Sequence, residues 1–309
     1  MNPVRELFWR YFSKTRLVEA PHIARAGDRV FLKLEGELPT GSFKVRGALY
    51  GLSCHAGLNE VVASSTGNHG AAVAWAAKQL GVRATIFLPR DPNPVKKATI
   101  AQFGAAIVEA GKDLAEAFES ASAHCVRTGA FFLNDATDPD LPEGPGTIAD
   151  EIIEELPDAD AIYVPVGDTA LIRGVATRAK ALKPSMRIVG VQAERAPAYY
   201  LSWKSGTVTP TESADTIADG LATRTPDAAN VRTIRALVDD MRLVSEDAMV
   251  AAIATLLHHE GITAEPAAAS TVAAYRAESS GEARRTVVLL ITGRNVAPDL
   301  LERARAKNP

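Results

Sequence analysis

One lysine stands where a helix is predicted to begin. In the run from Thr40 to Ala48, Gly41 allows a sharp turn, Thr40 and Ser42 are common capping residues, and the apolar spacing fits a helix starting at Ser42. Lys44 therefore falls in a first helical turn, where the helix dipole disfavours its ammonium form. A neutral amine is a nucleophile that forms Schiff bases with carbonyl compounds. The same pattern also fits an ordinary surface lysine.

Hydroxyl, amide and glycine residues concentrate in three loops, at 64–70, 165–171 and 292–295. Each loop follows a predicted strand, and the first two precede a predicted helix. Backbone N–H groups at a helix N-terminus bind anions, so these two loops fit a carboxylate or a phosphate. In 165–171 the carboxylate of Asp168 repels a phosphate unless it points away. Each loop also fits a simple capped turn between a strand and a helix.

Alternating strands and helices are predicted to hold these loops. Nine apolar runs of strand length alternate with eight amphipathic segments, which is typical of parallel sheets covered by helices on both faces. Ligands of such sheets bind beyond the carboxyl ends of the strands, where the polar loops lie. We predict an α/β protein of two doubly wound parallel-sheet domains. A smaller domain, 50–142, is inserted in a larger one formed by 1–49 and 143–309, and the Pro/Asp-rich stretch 135–145 is a return linker.

The composition is that of an ordinary globular protein. The chain has 309 residues with a net charge of −3, so we expect no nucleic acid and no membrane as partner. No apolar run reaches the length of a membrane span, and the first residues lack the apolar core of a signal peptide. Cys54 and Cys125 have neither pairing nor metal-binding spacing, so we expect both to be reduced and buried. These features predict a cytoplasmic protein.

Six segments in register resemble the fold type II pyridoxal-phosphate enzymes, and within these the serine/threonine dehydratase group. The segments are Lys33-Leu34-Glu35 with the run from Thr40 to Ala48, Ser65 to Gly70, Gly167 to Leu171, Thr216 to Gly220, Glu265-Pro266, and Thr292 to Asn295. They occur in the family order and cover nearly the whole chain. Any one of them is a weak signal, whereas all six together are specific for the fold and for pyridoxal 5'-phosphate as cofactor.

The resemblance implies a role for four residues around the cofactor ring. Lys44 is implied to bind pyridoxal phosphate as a Schiff base, with Phe43 beside the ring. Asn68 is implied to hydrogen-bond the ring hydroxyl, and Thr292 to face the pyridine nitrogen. A threonine hydroxyl carries no charge, so it does not hold that nitrogen protonated as an aspartate would. The ring is then a weaker electron sink, which favours elimination over transamination.

The resemblance also implies two anion sites. The phosphate loop is implied to consist of Gly167, Asp168, Thr169, Ala170 and Leu171. The substrate carboxylate is implied to dock among Ser65, Thr66, Gly67 and His69, with Glu265 near the same region. Thr66 is also a candidate catalytic residue, since it stands where racemase-type members carry a serine as a second base.

The implied reaction is β-elimination from a β-hydroxy amino acid such as threonine or serine. The Lys44 amine takes the Cα proton as general base, the β-hydroxyl leaves, and the products are a 2-keto acid and ammonia. Serine, threonine, 3-hydroxyaspartate and bulkier β-hydroxy amino acids all stay open as substrates.

Departures from the family pattern keep other activities open. Most dehydratases have a run of glycines where this chain has 168–170, and threonine synthases also use a loop with fewer glycines. A threonine-synthase-like or other β-replacement activity is therefore an alternative. Amino-acid racemisation is another, although Thr66 replaces the racemase serine. A non-catalytic pyridoxal-phosphate-binding protein is a third, whereas the absence of a G-x-G-x-x-G motif argues against a nucleotide-binding Rossmann protein.

No metal ion is predicted. Metal-using members of the family place a glutamate after the strand that matches 187–192 and an aspartate six residues further on. Glu194 matches the first position, but Tyr200 stands at the second. The implied partners are an amino-acid substrate and a second copy of the chain in a homodimer.

Overall fold

The computed structural model describes residues 3–278 and 284–307, and the contacts among them divide the chain into two compact units. The small unit comprises the residues up to Ser13 together with Phe43–Gly144. The large unit comprises Lys14–Ser42 together with the chain from Pro145 onward. The small unit is thus formed mostly by one continuous stretch of chain, whereas the large unit joins two separate stretches.

Strands and helices alternate along the described residues. The strands are β1 (Leu17–Glu19), β2 (Arg29–Leu34), β3 (Glu60–Ser64), β4 (Arg83–Leu88), β5 (Ala106–Glu109), β6 (Phe131–Phe132), β7 (Ala161–Pro165), β8 (Arg187–Ala193), β9 (Asp240–Val244) and β10 (Thr286–Ile291). The α-helices are α1 (Pro3–Phe8), α2 (Lys44–Ser53), α3 (Asn68–Leu80), α4 (Pro94–Ala101), α5 (Leu114–Thr128), α6 (Glu143–Glu155), α7 (Ala170–Leu182), α8 (Ala198–Ser205), α9 (Ala228–Leu237), α10 (Glu246–Glu260), α11 (Pro266–Ala277) and α12 (Pro298–Arg305).

The large unit is built on a six-stranded sheet in the order β1-β2-β10-β7-β8-β9. All neighbours pair in parallel except β1, which runs antiparallel to β2. Strand β10 lies in the middle, and all six of its residues are buried. Its Leu289 pairs with Leu32 on one side and Tyr163 on the other. From Val287 onward β10 places only valine, leucine and isoleucine side chains on both faces of the sheet. This composition fits a central position, because helices cover both faces of a parallel sheet.

The small unit is built on a four-stranded parallel sheet in the order β5-β4-β3-β6. The chain runs outward from β3 to β4 and β5 and then returns to add β6 on the other side of β3. The strand order therefore reverses between β3 and β6, and such a switch point is where open parallel sheets bind ligands. Helix α3, which follows β3, is buried from His69 to Ala77 and is rich in alanine, so it packs closely.

The predicted α/β fold with parallel sheets is confirmed. The pattern missed β1, α1, α8 and α9, of which the first three have eight residues or fewer. None of the helices described here is long and apolar enough to cross a membrane. The expectation of buried cysteines is wrong, because Cys54 is exposed and Cys125 is half-buried, and neither forms a disulfide among the described residues.

The compact units differ from the predicted domain bounds at the start of the chain. Residues 43–49 group with the small unit, because α2 packs tightly there. A Cβ atom on Gly47 would lie 2.7 Å from Cδ2 of Leu141, and the Arg46 guanidinium lies 5.9 Å from the ring centre of Phe12. The bounds 1–49 with 143–309 and 50–142 stay a prediction for functional domains.

Candidate functional site

Lys44 lies in the first turn of α2, as the sequence predicts, but the helix begins at Lys44 and not at Ser42, and Ser42 does not cap it. The N-cap residue is Phe43, whose side chain forms no capping hydrogen bond. Ser42 forms an antiparallel bridge with Gly293, and its buried Oγ has no hydrogen-bond partner among the described residues. The backbone before Lys44 is thus fixed by pairing with the segment after β10, not by a serine cap. Gly41 makes this possible, because its φ of +74° is left-handed.

The Lys44 amine lies against a carboxylate. Its Nζ is 2.6 Å from Oδ2 of Asp135 and 5.4 Å from the ring centre of Phe43. The lysine side chain is 13% exposed and the aspartate side chain 24%. Partly shielded opposite charges attract more strongly than exposed ones, so this carboxylate favours the ammonium form that the helix dipole disfavours.

The loop between β3 and α3 brings five predicted site residues together at the carboxyl edge of the small sheet. They are Ser65, Thr66, Gly67, Asn68 and His69, of which the first four are half-buried and the last is buried. The Gly67 N–H donates to Oγ of Ser65 at 3.3 Å, and Asn68 begins the helix. Hydroxyls, an amide and helix-terminal N–H groups therefore converge here, and this donor set suits a carboxylate.

Asp135 is a site residue that sequence reasoning missed. The sequence pattern places it in the return linker 135–145, whereas in the structure it lies just after β6, the strand that pairs with β3 at the switch point of the small sheet. Oδ1 of Asn134 accepts a hydrogen bond of 3.0 Å from the Ala136 N–H, a turn that fixes the backbone on both sides of Asp135. A polar run directly after the apolar segment 130–133 was the available signal.

The predicted phosphate loop precedes α7 in the large unit. Gly167 passes so close to the backbone of Gly220 that a Cβ atom on it would lie 2.0 Å from the Gly220 carbonyl oxygen. Thr169, the N-cap residue of α7, is buried with a φ of +77°, which is rare for a β-branched residue. Strained backbone of this kind concentrates at ligand sites.

An acidic and a basic side chain contact this loop and the first turn of α7. Oδ1 of Asp168 accepts a hydrogen bond of 2.9 Å from the Ala170 N–H, and the Arg173 Nε–H donates to Oγ1 of Thr169 at 3.1 Å. The N–H groups of the first helical turn have no acceptor within the helix, and Leu171 carries one of them. These N–H groups, the threonine hydroxyl and the guanidinium fit a phosphate, whereas the aspartate opposes one.

Thr292 and Glu265 lie together at the carboxyl end of β10. Thr292 directly follows the strand and is 2% exposed. The Glu265 N–H donates to the Gly293 carbonyl at 3.0 Å. A Cβ atom on Gly293 would lie 2.4 Å from Oε1 of Glu265, so the glycine leaves room for this carboxylate. Strand β10 pairs with β7, which leads into Gly167, so these residues share one edge of the large sheet.

A sequence profile for pyridoxal-phosphate dependent enzymes matches residues 9–293, nearly the whole chain. The chain belongs to this family. The enzyme is 36% identical over 281 residues to the L-threonine ammonia-lyase of Thermotoga maritima, covering 90% of this chain and 70% of that protein. These matches confirm the resemblance predicted from the sequence motifs.

Solved structures of the family share the fold of the enzyme. Maize serine racemase matches with a TM-score of 0.91 and 29% identity, covering 98% of this chain and 94% of the racemase. The processed form of threonine deaminase isoform 2 from Solanum lycopersicum matches with a TM-score of 0.92 and 29% identity, covering 98% of this chain and 84% of the deaminase. The predicted fold type II architecture is therefore confirmed.

Each unit, taken by itself, carries groups that suit one part of the cofactor of the family. The small unit offers the Lys44 amine for the aldehyde, and the large unit offers the anion donors around Thr169 and the buried Thr292 hydroxyl. Within 3–278 and 284–307, no cluster of three His, Cys, Asp or Glu side chains is arranged to hold a metal ion. Glu194 is exposed, and the Tyr200 N–H donates to Oε1 of Gln192. The absence of a divalent ion stays a prediction.

Proposed function

We propose that the enzyme is an ammonia-lyase that acts on threonine or serine and releases a 2-oxo acid and ammonia. The main observation in support of this proposal is the position of Lys44. Its Nζ lies at the start of a helix, beside the switch point of the small sheet, and 2.6 Å from a carboxylate that His69 also approaches. The relative from Thermotoga maritima, named as an L-threonine ammonia-lyase, supports the same reaction.

Four residues would hold the cofactor ring. Bound to Lys44 as a Schiff base, pyridoxal phosphate supplies an electron-withdrawing ring that makes the Cα–H of an amino acid acidic. Phe43, adjacent to the lysine, would lie along the ring, and Asn68 would donate to the ring hydroxyl. The Thr292 hydroxyl would hydrogen-bond the pyridine nitrogen without placing a charge beside it.

Two groups of residues would hold the anionic ends of cofactor and substrate. The phosphate would be held by the loop Gly167, Asp168, Thr169, Ala170 and Leu171 together with Arg173. The substrate carboxylate would be held by Ser65, Thr66, Gly67 and His69. Glu265 would face the substrate near Thr292, because its carboxylate lies against Gly293.

Lys44 and Thr292 would together favour elimination. Lys44 takes the Cα proton on Nζ as general base. The Thr292 hydroxyl carries no charge, so it would not hold the pyridine nitrogen protonated, and the ring would then be a weaker electron sink. Elimination, in which the β-hydroxyl departs as the Cα proton is removed, would then be favoured over transamination, in which the negative charge must persist.

A keto-acid assay tests the proposal. We expect the purified enzyme, supplied with pyridoxal phosphate, to release a 2-oxo acid from L-threonine or L-serine. Lys44→Ala should lose this activity and the visible absorbance of the bound cofactor. Lys78→Ala removes an exposed lysine of the small unit and should change neither. Full activity in Lys44→Ala, or no keto acid from any β-hydroxy amino acid, would contradict the proposal.

Racemisation is a second candidate, because the fold matches maize serine racemase. The Thr66 hydroxyl would then act on the face of Cα opposite Lys44. Chiral analysis of serine recovered from a reaction in deuterium oxide tests this. D-serine carrying deuterium on Cα would support racemisation, whereas unreacted L-serine with keto acid would support elimination alone. A thiol added to the same reaction tests for β-replacement, which would yield a thioether.

We also propose that the enzyme works as a homodimer in the cytoplasm, with an amino acid as its small-molecule substrate. The likeness to fold type II enzymes supports the dimer. Light scattering of the purified protein measures the molecular mass, and a monomeric mass at working concentration would contradict the dimer. Cell fractionation tests the compartment.

A further inference from the structure

Two polar groups converge on one oxygen atom of Asp135. Lys44 Nζ lies 2.6 Å from Oδ2, and Nδ1 of His69 lies 3.6 Å from the same oxygen. The Nε2 atom of His69 lies 3.0 Å from the Leu133 carbonyl, which only accepts hydrogen bonds. Nε2 therefore carries a proton, and Nδ1 is the atom turned toward the carboxylate.

The His69 ring is built into the site. Its side chain is 5% exposed, and Nδ1 is buried without a hydrogen-bond partner among the described residues. Buried polar atoms are normally paired, so an unpaired nitrogen 3.6 Å from a carboxylate oxygen points to a functional role for this ring. The backbone of Asp135 is held by the Asn134–Ala136 turn, so its carboxylate has a fixed place opposite the lysine.

We propose that Asp135 is a positioning residue for Lys44, which holds the lysine amine and stabilises the ammonium that forms when Lys44 takes the Cα proton. The proposal rests on the proposed function. In that step the Cα–H bond breaks, an N–H bond forms on Nζ, and the bonding electrons stay with the substrate. The new ammonium then lies beside a carboxylate at 2.6 Å, a charge-assisted contact that the neutral amine lacks. A base whose protonated form is stabilised in this way takes the proton more readily.

The first test uses the cofactor-free protein, so that it does not depend on turnover. Acetic anhydride acylates neutral amines only, and mass spectrometry gives the extent of acylation at each lysine. Asp135→Asn removes the charge with little change in size. At neutral pH we expect it to increase Lys44 acylation about tenfold relative to Lys78, because an adjacent opposite charge favours the ammonium by about that factor.

A matched control lies in the same segment. Asp140 carries a carboxylate whose side chain is 43% exposed, and Asp140→Asn should leave Lys44 acylation unchanged. If Asp135→Asn fails to fold, the test is made with Asp135→Ser, for which we expect the same increase in Lys44 acylation. An unchanged ratio of Lys44 to Lys78 acylation in a folded Asp135 variant would overturn the proposal.

The second test separates positioning from structural support. We expect Asp135→Asn to lower kcat about tenfold or more with little change in KM, because the ammonium is formed only during the reaction. Asp135→Glu keeps the charge and should recover part of kcat. An unchanged kcat in Asp135→Asn, or a change confined to KM, would contradict the proposal.

The two tests also separate this proposal from the proposed function. If the wild-type enzyme releases no keto acid, the function fails, yet the acylation ratio still measures whether Asp135 holds the Lys44 ammonium. If keto acid is released and Asp135→Asn behaves as wild type in both tests, the function stands and the role of Asp135 falls.

Discussion

The carboxylate of Asp168 accepts a hydrogen bond of 2.9 Å from the N–H of Ala170, the first residue of α7. A negative charge thus occupies the end of the helix that favours anions, in the loop predicted to bind phosphate. We expect the charge to weaken the binding of a phosphate, whereas the hydrogen bond orders the loop. These two effects can be separated, because an asparagine keeps the acceptor oxygen and removes the charge.

We therefore expect Asp168→Asn to bind pyridoxal phosphate about tenfold more tightly than wild type, since removing one nearby like charge is worth about 1.4 kcal/mol. Absorbance titration of the cofactor-free protein measures the dissociation constant. Asp227→Asn is a matched control, because Asp227 caps α9 through the N–H groups of Ala229 and Asn230. It should leave the constant unchanged. Weaker binding by Asp168→Asn would show that its charge does not oppose the phosphate.

Arg173 should contribute in the opposite direction. Its guanidinium lies one turn into α7 and contacts the Thr169 hydroxyl. We expect Arg173→Gln to raise the dissociation constant of pyridoxal phosphate about tenfold, because a charge-assisted contact to phosphate is lost. Lys180→Gln removes a positive charge from the same helix, at an exposed contact with Asp239. Equal losses in the two variants would indicate a general charge effect and not a specific contact.

The pair formed by Lys33 and Glu151 should be important for stability. Nζ of Lys33 lies 2.6 Å from Oε2 of Glu151, and the two side chains are 0% and 4% exposed. Glu151→Gln leaves a buried ammonium without its counter-charge, which costs about 3 kcal/mol and lowers Tm by roughly 6–12 °C. Glu155→Gln removes an exposed partner of Lys14 on the same helix and should cost less than about 1 kcal/mol. Calorimetry measures both, and equal losses would contradict the prediction.

Glu60 should give the small unit a pH-dependent stability. The hydrogen bond of 2.6 Å from the Thr85 hydroxyl lowers the pKa of Glu60, burial opposes this, and His124 lowers the pKa further. Because the folded pKa is below the unfolded one, the stabilisation is full above the ordinary glutamate pKa and is lost as the pH falls through the lowered value.

We expect Glu60→Gln to lose about 1–2 kcal/mol of unfolding free energy at neutral pH, since a hydrogen bond to a charged group is lost. The difference from wild type should shrink as the pH falls below the ordinary glutamate pKa of about 4.3, and it should vanish only below the lowered folded pKa, where the wild-type carboxylate is also protonated. Urea unfolding across this pH range measures the difference in unfolding free energy, and Glu119→Gln, at an exposed residue, is the control. A difference that persists in acid would mean that the side chain matters through packing, not through charge.

The features predictable from the sequence were those that depend on neighbours along the chain. The run from Val287 to Ile291 contains only valine, leucine and isoleucine, so its place as a buried strand was evident. Lys44 was placed at a helix start because Gly41 and the apolar spacing after it are local signals. The cofactor was predicted from the motifs of the family, because the apolar pattern of a sequence carries no information about a cofactor.

The features that sequence reasoning missed depend on residues far apart in the chain. Ser42 was expected to cap α2, but its backbone pairs with Gly293, so its hydroxyl takes no part in the cap. Asp135 was assigned to a linker, because only the strand order shows that β6 lies beside β3. Pattern and propensity do not report strand order, and therefore the counter-charge of Lys44 was visible only in the structure.

The central position of β10 has a consequence for synthesis of the protein. Strands β2 and β7 can pair through the middle of the large sheet only after β10, which ends at Ile291, has emerged from the ribosome. The small unit needs nothing beyond Gly144, so it can fold while the chain is still growing. Until β10 is available, the edges of β2 and β7 that pair with it are unpaired and open to association with other chains. The growing chain is therefore exposed to aggregation between the synthesis of β7 and the synthesis of β10.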